Sequence, residues 1–139
     1  MENTIEKINQ LIDHQPVCLL SSVDENGYPN TRAMLAPVKR EGLKFFYWHT
    51  NSSSQKIKHY RANAQAGVYF FDPQQFQGVL LKGKMEVIDD SYLKHELWEE
   101  GFSIYYQGGV EGGDFIILKF IVSSARYYSN FSNEDLPVN

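Results

Sequence analysis

A chain of 139 residues, 42% hydrophobic and 22% charged, has the make-up of a water-soluble globular protein able to bury one core. Its formal net charge of -4 argues against an electrostatic role on nucleic acid or anionic membranes, and no apolar run is long enough to span a bilayer. The one cysteine, Cys18, excludes an internal disulfide framework and sits in an apolar run as an inert core thiol. With a polar amphipathic N-terminus instead of a leader, the expectation is one cytoplasmic domain over residues 1–139.

Ile5, Ile8, Leu11 and Ile12 recur at helical spacing in residues 4–14, with Asn3 and Glu6 placed as a capping box. Pro16 stops that helix, and the run 17–23 reads as a strand. Asn26-Gly27 is hairpin chemistry, because both residues tolerate positive φ. Residues 31–38 then form the second strand, and a turn at Glu41-Gly42 leads into the aromatic strand 43–49. Ser53 or Ser54 caps a short helix with Ile57, Tyr60 and Ala64 on one face. Residues 67–71 make a fourth strand, broken by Asp72-Pro73. The longest strand is 78–88, where Gly83 marks a bulge or a close backbone approach. Asp89-Asp90-Ser91 caps a helix carrying Leu93, Leu97 and Trp98, and the pairs Gly108-Gly109 and Gly112-Gly113 bracket a flexible loop. Residues 115–122 are the last clear strand, continuing through Tyr127 and Tyr128, and the polar tail after Asn130 is expected to fray. Six β-segments joined mostly by tight turns, with three short helices, predict a mainly β fold. It is an antiparallel barrel with a six-stranded core, not a doubly wound sheet.

The segment Asn51-Ser-Ser-Ser-Gln-Lys56 carries the chemistry. Ser hydroxyls and free backbone N–H groups at a helix start, with Lys56 in the first turn, suit a phosphate. Arg32, on a neighbouring strand, supplies a second cation. Taken alone the loop also reads as an ordinary helix cap followed by a solvated lysine. The four histidines have no paired metal-ligand spacing and no cysteine beside them, so no metal site is expected. His59 and His95 read as helix-surface residues; His49, ending the aromatic strand, is a site candidate.

The order of these pieces resembles the flavin-binding split-barrel family. They are Asn26-Gly-Tyr-Pro-Asn-Thr-Arg-Ala-Met34, the aromatic strand ending in Thr50, then Ser54 and Lys56. That family includes pyridoxamine 5'-phosphate oxidase and the general stress proteins related to it. Asn63, residues 68–71, Gly83, Asp89 and the run from Trp98 to Tyr105-Tyr106-x-Gly-Gly109 extend the likeness over nearly the full chain, towards the stress-protein branch. The resemblance implies an antiparallel split β-barrel that binds FMN in a homodimer, with the flavin at the subunit interface. Arg32 and Lys56 would hold the phosphate, helped by Ser54 and the backbone near Gln55. Backbone groups of Ala33 and Met34 would meet the isoalloxazine edge, and His49 and Thr50 would flank the ribityl chain or the phosphate. Trp98, Tyr106 or Tyr128 would reach the partner's flavin, or pack as ordinary core.

Two departures bear on activity. Gly78 stands where the oxidases carry an amide-bearing residue, and the end of the chain offers Glu134 and Asp135 where theirs is Arg-rich. The implied function is an FMN-binding oxidoreductase-like protein without true pyridoxamine-phosphate oxidase activity. The alternatives are a non-catalytic flavin-buffering or flavin-sensing stress protein, or a module for haem or deazaflavin.

Overall fold

The computed structural model describes residues 2–139. The elements run α1 (Glu2–Asp13), β1 (Val17–Val23), β2 (Pro29–Leu35), β3 (Lys39–Glu41), β4 (Phe45–Asn51) and α2 (Gln55–Ala62). They continue with β5 (Gln65–Asp72), β6 (Gln77–Ile88), α3 (Ser91–Leu97), β7 (Phe115–Ser129) and β8 (Ser132–Pro137), with a 3-10 turn at Glu100–Ile104 before β7. The strands make one antiparallel sheet in the order β2-β1-β5-β6-β7-β4-β3, and β8 pairs β7 beyond the end of β4. The mainly β barrel read from the sequence is therefore present, and its six strands are β1, β2, β4, β5, β6 and β7.

Long β6 and β7 form the spine, and their register shifts between Lys82 and Gly83. A Cβ at Gly83 would run into the Ile121 carbonyl, so the close strand approach at the bulge demands glycine. Alternating inward residues of the sheet and one stripe of α1 bury the main core, which includes Ile8, Phe46, Trp48, Phe70, Leu81 and Phe120. Full burial of such a side chain contributes roughly 1.5–3 kcal/mol each. A second, smaller core of Tyr47, Leu97, Tyr106, Phe115 and Ile117 lies under α3 and the segment after it. Among the described residues no helix is long and apolar enough to cross a membrane.

Several local expectations are corrected. Asn3 lies inside α1, which starts at Glu2, so it is not the cap of a capping box. The tail does not fray: it folds back as β8, Ser132 opposite Ser129, around Asn130 and Phe131 with φ of 51 and 63. That is the positive-φ pair of a two-residue hairpin, hidden from the sequence because a phenylalanine occupies the place usually given to glycine. The glycine loop carries turn hydrogen bonds from Gly109 N–H to the Tyr106 carbonyl (3.0 Å) and from Gly112 N–H to the Gly109 carbonyl (3.2 Å). Cys18 is buried as expected, and burial pushes its thiol up to about 11, away from the thiolate that redox chemistry uses.

Candidate functional site

The site grows from the pairing of β1 with β2, where Leu20 lies opposite Arg32 and Ser22 opposite Asn30. Side chains of paired residues share a face of the sheet, so these four look towards α2. The intervening residues, Leu19 with Ala33 and Val17 with Leu35, look outward. Strand β2 is the edge of the sheet, and its seven residues are exposed apart from half-buried Met34. Arg32 forms none of the ion pairs found among the described residues.

Helix α2 supplies the second half. Ser54 is its N-cap residue, yet its hydroxyl does not cap the helix; it accepts a hydrogen bond from Lys56 Nζ at 2.8 Å. Lys56 is only 5% exposed and has no carboxylate partner among the described residues. Burial, and then the Arg32 guanidinium nearby, push its ammonium down to about 8. The solvated-lysine reading is thus overturned: α2 packs this side of itself against β1, and Lys56 goes in with Ile57 and Tyr60. A buried cation held by one hydroxyl is costly unless an anion joins it.

Arg32 and Lys56 open onto a cavity of about 480 Å³, which Met34, His49, Thr50 and Ser54 also line. At its far end His49 Nδ1 and the Tyr106 hydroxyl share a hydrogen bond of 2.7 Å. The His49 ring packs on Phe102, centroids 4.2 Å apart, and burial lowers its basicity against a weaker opposing pull from Glu99. Burial above all, with Asp114 and Tyr105 adding to it, raises the Tyr106 hydroxyl to about 12. Near neutral pH this end therefore presents an uncharged hydrogen-bonded pair among aromatic rings, while the α2 end presents cations. Two larger cavities, of about 680 and 800 Å³, contain neither Arg32 nor Lys56.

Of the residues singled out from the sequence, Arg32, Met34, His49, Thr50, Ser54 and Lys56 come together around this one cavity. Gln55 lines an adjoining cavity that shares Arg32 and Lys56. Ala33 is the exception: its side chain faces outward opposite Leu19, and it lines neither cavity. Trp98 and Tyr106 pack on Phe115 of the same chain, and Tyr106 also lines the cavity. His59, read as a surface residue, is half-buried, its Nδ1 hydrogen-bonded to Ser22 Oγ at 2.8 Å. No local signal links Ser22 to His59. It takes the β1–α2 contact to join them.

The profile of the family described as "Pyridoxamine 5'-phosphate oxidase like" matches residues 3–136. The chain belongs to that family. A pyridoxine/pyridoxamine 5'-phosphate oxidase of Legionella pneumophila is 33% identical over 89 residues, 61% of this chain and 40% of that protein. The chain thus spans about 40% of the length of the curated relatives it matches. A protein of Clostridium acetobutylicum, related to general stress protein 26 of B. subtilis, is 31% identical with a TM-score of 0.90, over 99% of this chain and 96% of that one. Sharing the fold alone is an FMN-binding protein of Nostoc punctiforme, 13% identical with a TM-score of 0.72, over 96% of this chain and 95% of that one. A haem-binding protein of Mycobacterium smegmatis is likewise a neighbour in fold, 14% identical with a TM-score of 0.75, over 96% of this chain and 57% of that one.

Proposed function

We propose that this chain binds FMN and serves flavin-dependent oxidoreductase chemistry in the manner of the stress-protein branch of its family. Lys56 carries the reading: a buried ammonium beside a second cation, with no carboxylate among the described residues, needs an anion of the phosphate type. Arg32, Lys56 and Ser54 would hold the phosphate, with the backbone at Gln55. Met34 and the edge of β2 at Ala33 would border the ring system, with Thr50 and His49 along the chain between them. When bound, the flavin would accept or donate electrons in hydride-sized or single steps; the protein's part is to hold it and keep water from it. A flavin also suits the division of the cavity into a cationic end and an aromatic one.

The test is an absorption spectrum of purified protein, followed by titration with FMN, riboflavin and haemin. FMN should bind at least tenfold more tightly than riboflavin, since one charge-assisted contact is worth roughly 1.5–3 kcal/mol. Tight haemin binding with no preference between the two flavins would reject the reading.

The same proposal has the cavity completed by a second copy of the chain. Unsatisfied rings give little support for this, because Tyr47 and Tyr106 are buried within the chain. The support comes instead from the outward face of β1 and β2, where Val17 (45% exposed), Leu19 (39%) and Leu35 (68%) form an apolar strip. Leu35 also lines the cavity, so whatever covers the strip reaches its mouth. Light scattering at micromolar concentration should give twice the mass of one 16.1 kDa chain. Leu19→Asp should halve that mass and weaken FMN binding together. A monomer that still retains FMN fully would remove the dimer from the picture.

A further inference from the structure

We infer that His59 is a third ligand of the phosphate held at Arg32 and Lys56, oriented by Ser22, so that the site grips a dianionic phosphate more tightly when this imidazole is protonated. The inference rests on the FMN reading above and adds a residue that neither the sequence nor the family relation assigns to the site. Beyond Arg32 and Lys56 lies a cavity of about 190 Å³ lined by Ser22, Asn30, Arg32, Gln55, Lys56 and His59. It is too small for a flavin ring but ample for a phosphate group with a few waters, each occupying about 30 Å³ of liquid. On α2, Gln55, Lys56 and His59 are spaced at i, i+1 and i+4, which brings all three to the side facing β1 and β2. Ser22 is buried on β1 and fixes Nδ1 of the ring at 2.8 Å, leaving Nε2 as the nitrogen available to a ligand.

The charges around the ring decide what a phosphate does to it. Arg32 from β2 and Lys56 from α2 oppose a third positive charge. Asp24, in the turn between β1 and β2, favours it: its carboxyl is held below the usual range mainly by the Tyr28 N–H and the Asn30 amide, with His59 a small further pull. Tyr60, which hydrogen-bonds the Ser21 carbonyl, is raised by burial and stays neutral. A bound dianion favours a positive charge on the ring, so binding draws a proton onto it, and affinity rises as pH falls through the range of about 5–8 in which histidines titrate.

FMN and riboflavin affinities at pH 6.5 and pH 8.0 test this, above the second ionisation of a phosphate monoester near pH 6. The unchanged protein should bind FMN at least fivefold more tightly at the lower pH, with riboflavin flat. In His59→Gln the rise should shrink to about twofold, the part due to Lys56, half of which is charged near pH 8. Ser22→Ala should fall between. NMR of the unchanged protein supplies a readout independent of any variant: the His59 imidazole should titrate at higher pH with FMN bound than with riboflavin bound. An undiminished rise in His59→Gln, or the same His59 titration with both flavins, would overturn the inference while leaving FMN binding intact. Loss of any preference for FMN over riboflavin in the unchanged protein would instead overturn the reading beneath it.

Discussion

Lys56→Met should weaken FMN binding tenfold or more, leave riboflavin binding almost unchanged, and raise the melting temperature of the flavin-free protein. The binding part follows from one charge-assisted contact of roughly 1.5–3 kcal/mol, which only the phosphate makes. The stability part follows from burial: Lys56 is 5% exposed and its ammonium has been pushed down to about 8. Its folded-state pKa is below its unfolded value of about 10.5, so between these values the unfolded chain binds more protons. Stability of the flavin-free protein therefore rises with pH across about 8–10.5, and below pH 8 the buried charge is a standing cost. Methionine keeps the stem and removes the charge. The Lys56 contribution to FMN affinity has the opposite pH sense: it declines as pH rises through about 8 and the ammonium is lost, a decline absent in Lys56→Met. Calorimetry giving equal losses for FMN and riboflavin would place Lys56 away from the phosphate, and a lower melting temperature for the variant would remove the buried-charge argument. Such a residue, costly to the empty fold and useful only with a ligand, is the usual mark of a binding site.

What the sequence revealed and concealed about this site has a physical pattern. Arg32, Thr50, Ser54 and Lys56 were legible through the order of motifs that carries the family resemblance, although β2 and β4 lie apart in the sheet and meet at one cavity only in the folded chain. The burial of Lys56 was not legible, because a lysine in the first turn of a short polar helix has no pattern of its own. Its position depends on how α2 settles against β1, as Tyr60 donates to the Ser21 carbonyl at 3.1 Å. His59 and Ser22 are 37 positions apart and meet only through that same packing. Tyr106 meets His49 only through a contact that spans 57 positions, which no local pattern signals. The strands fared better than the tail for the same reason. The unbroken apolar run 115–118 and the alternating burial from Leu118 to Val122 mark β7 in the sequence, but the Asn130-Phe131 turn that starts β8 has none of the usual glycine signal.

The far end of the chain sets the last expectation, that pyridoxamine and pyridoxine 5'-phosphate are not oxidised at ordinary enzymatic rates even with FMN bound and oxygen present. A phosphorylated substrate needs fixed cations apart from those that hold the FMN phosphate. Arg32 and Lys56 are both at the α2 end of the cavity, and the remaining lining residues with ionisable side chains are His49, Tyr105 and Tyr106. His49 is held towards its neutral form by burial. Arg126, the cation nearest the C-terminus, lies opposite Asp135 on β8, with Nε 3.8 Å from the carboxylate, and Glu134 follows opposite Tyr127. Glu134 lines a separate cavity with Thr4 and Lys7, so β8 adds no cation to the cavity that Arg32 and Lys56 line. Leaving a dianion without adequate partners costs several kcal/mol, and each 1.4 kcal/mol lost from transition-state binding is about a factor of ten in rate. The deficit amounts to orders of magnitude. Electron transfer between a bound flavin and an uncharged partner would meet no such obstacle. A coupled assay for hydrogen peroxide and pyridoxal 5'-phosphate decides it, because formation of both at rates of about 1 per second or more would require a second cationic subsite that these residues do not supply.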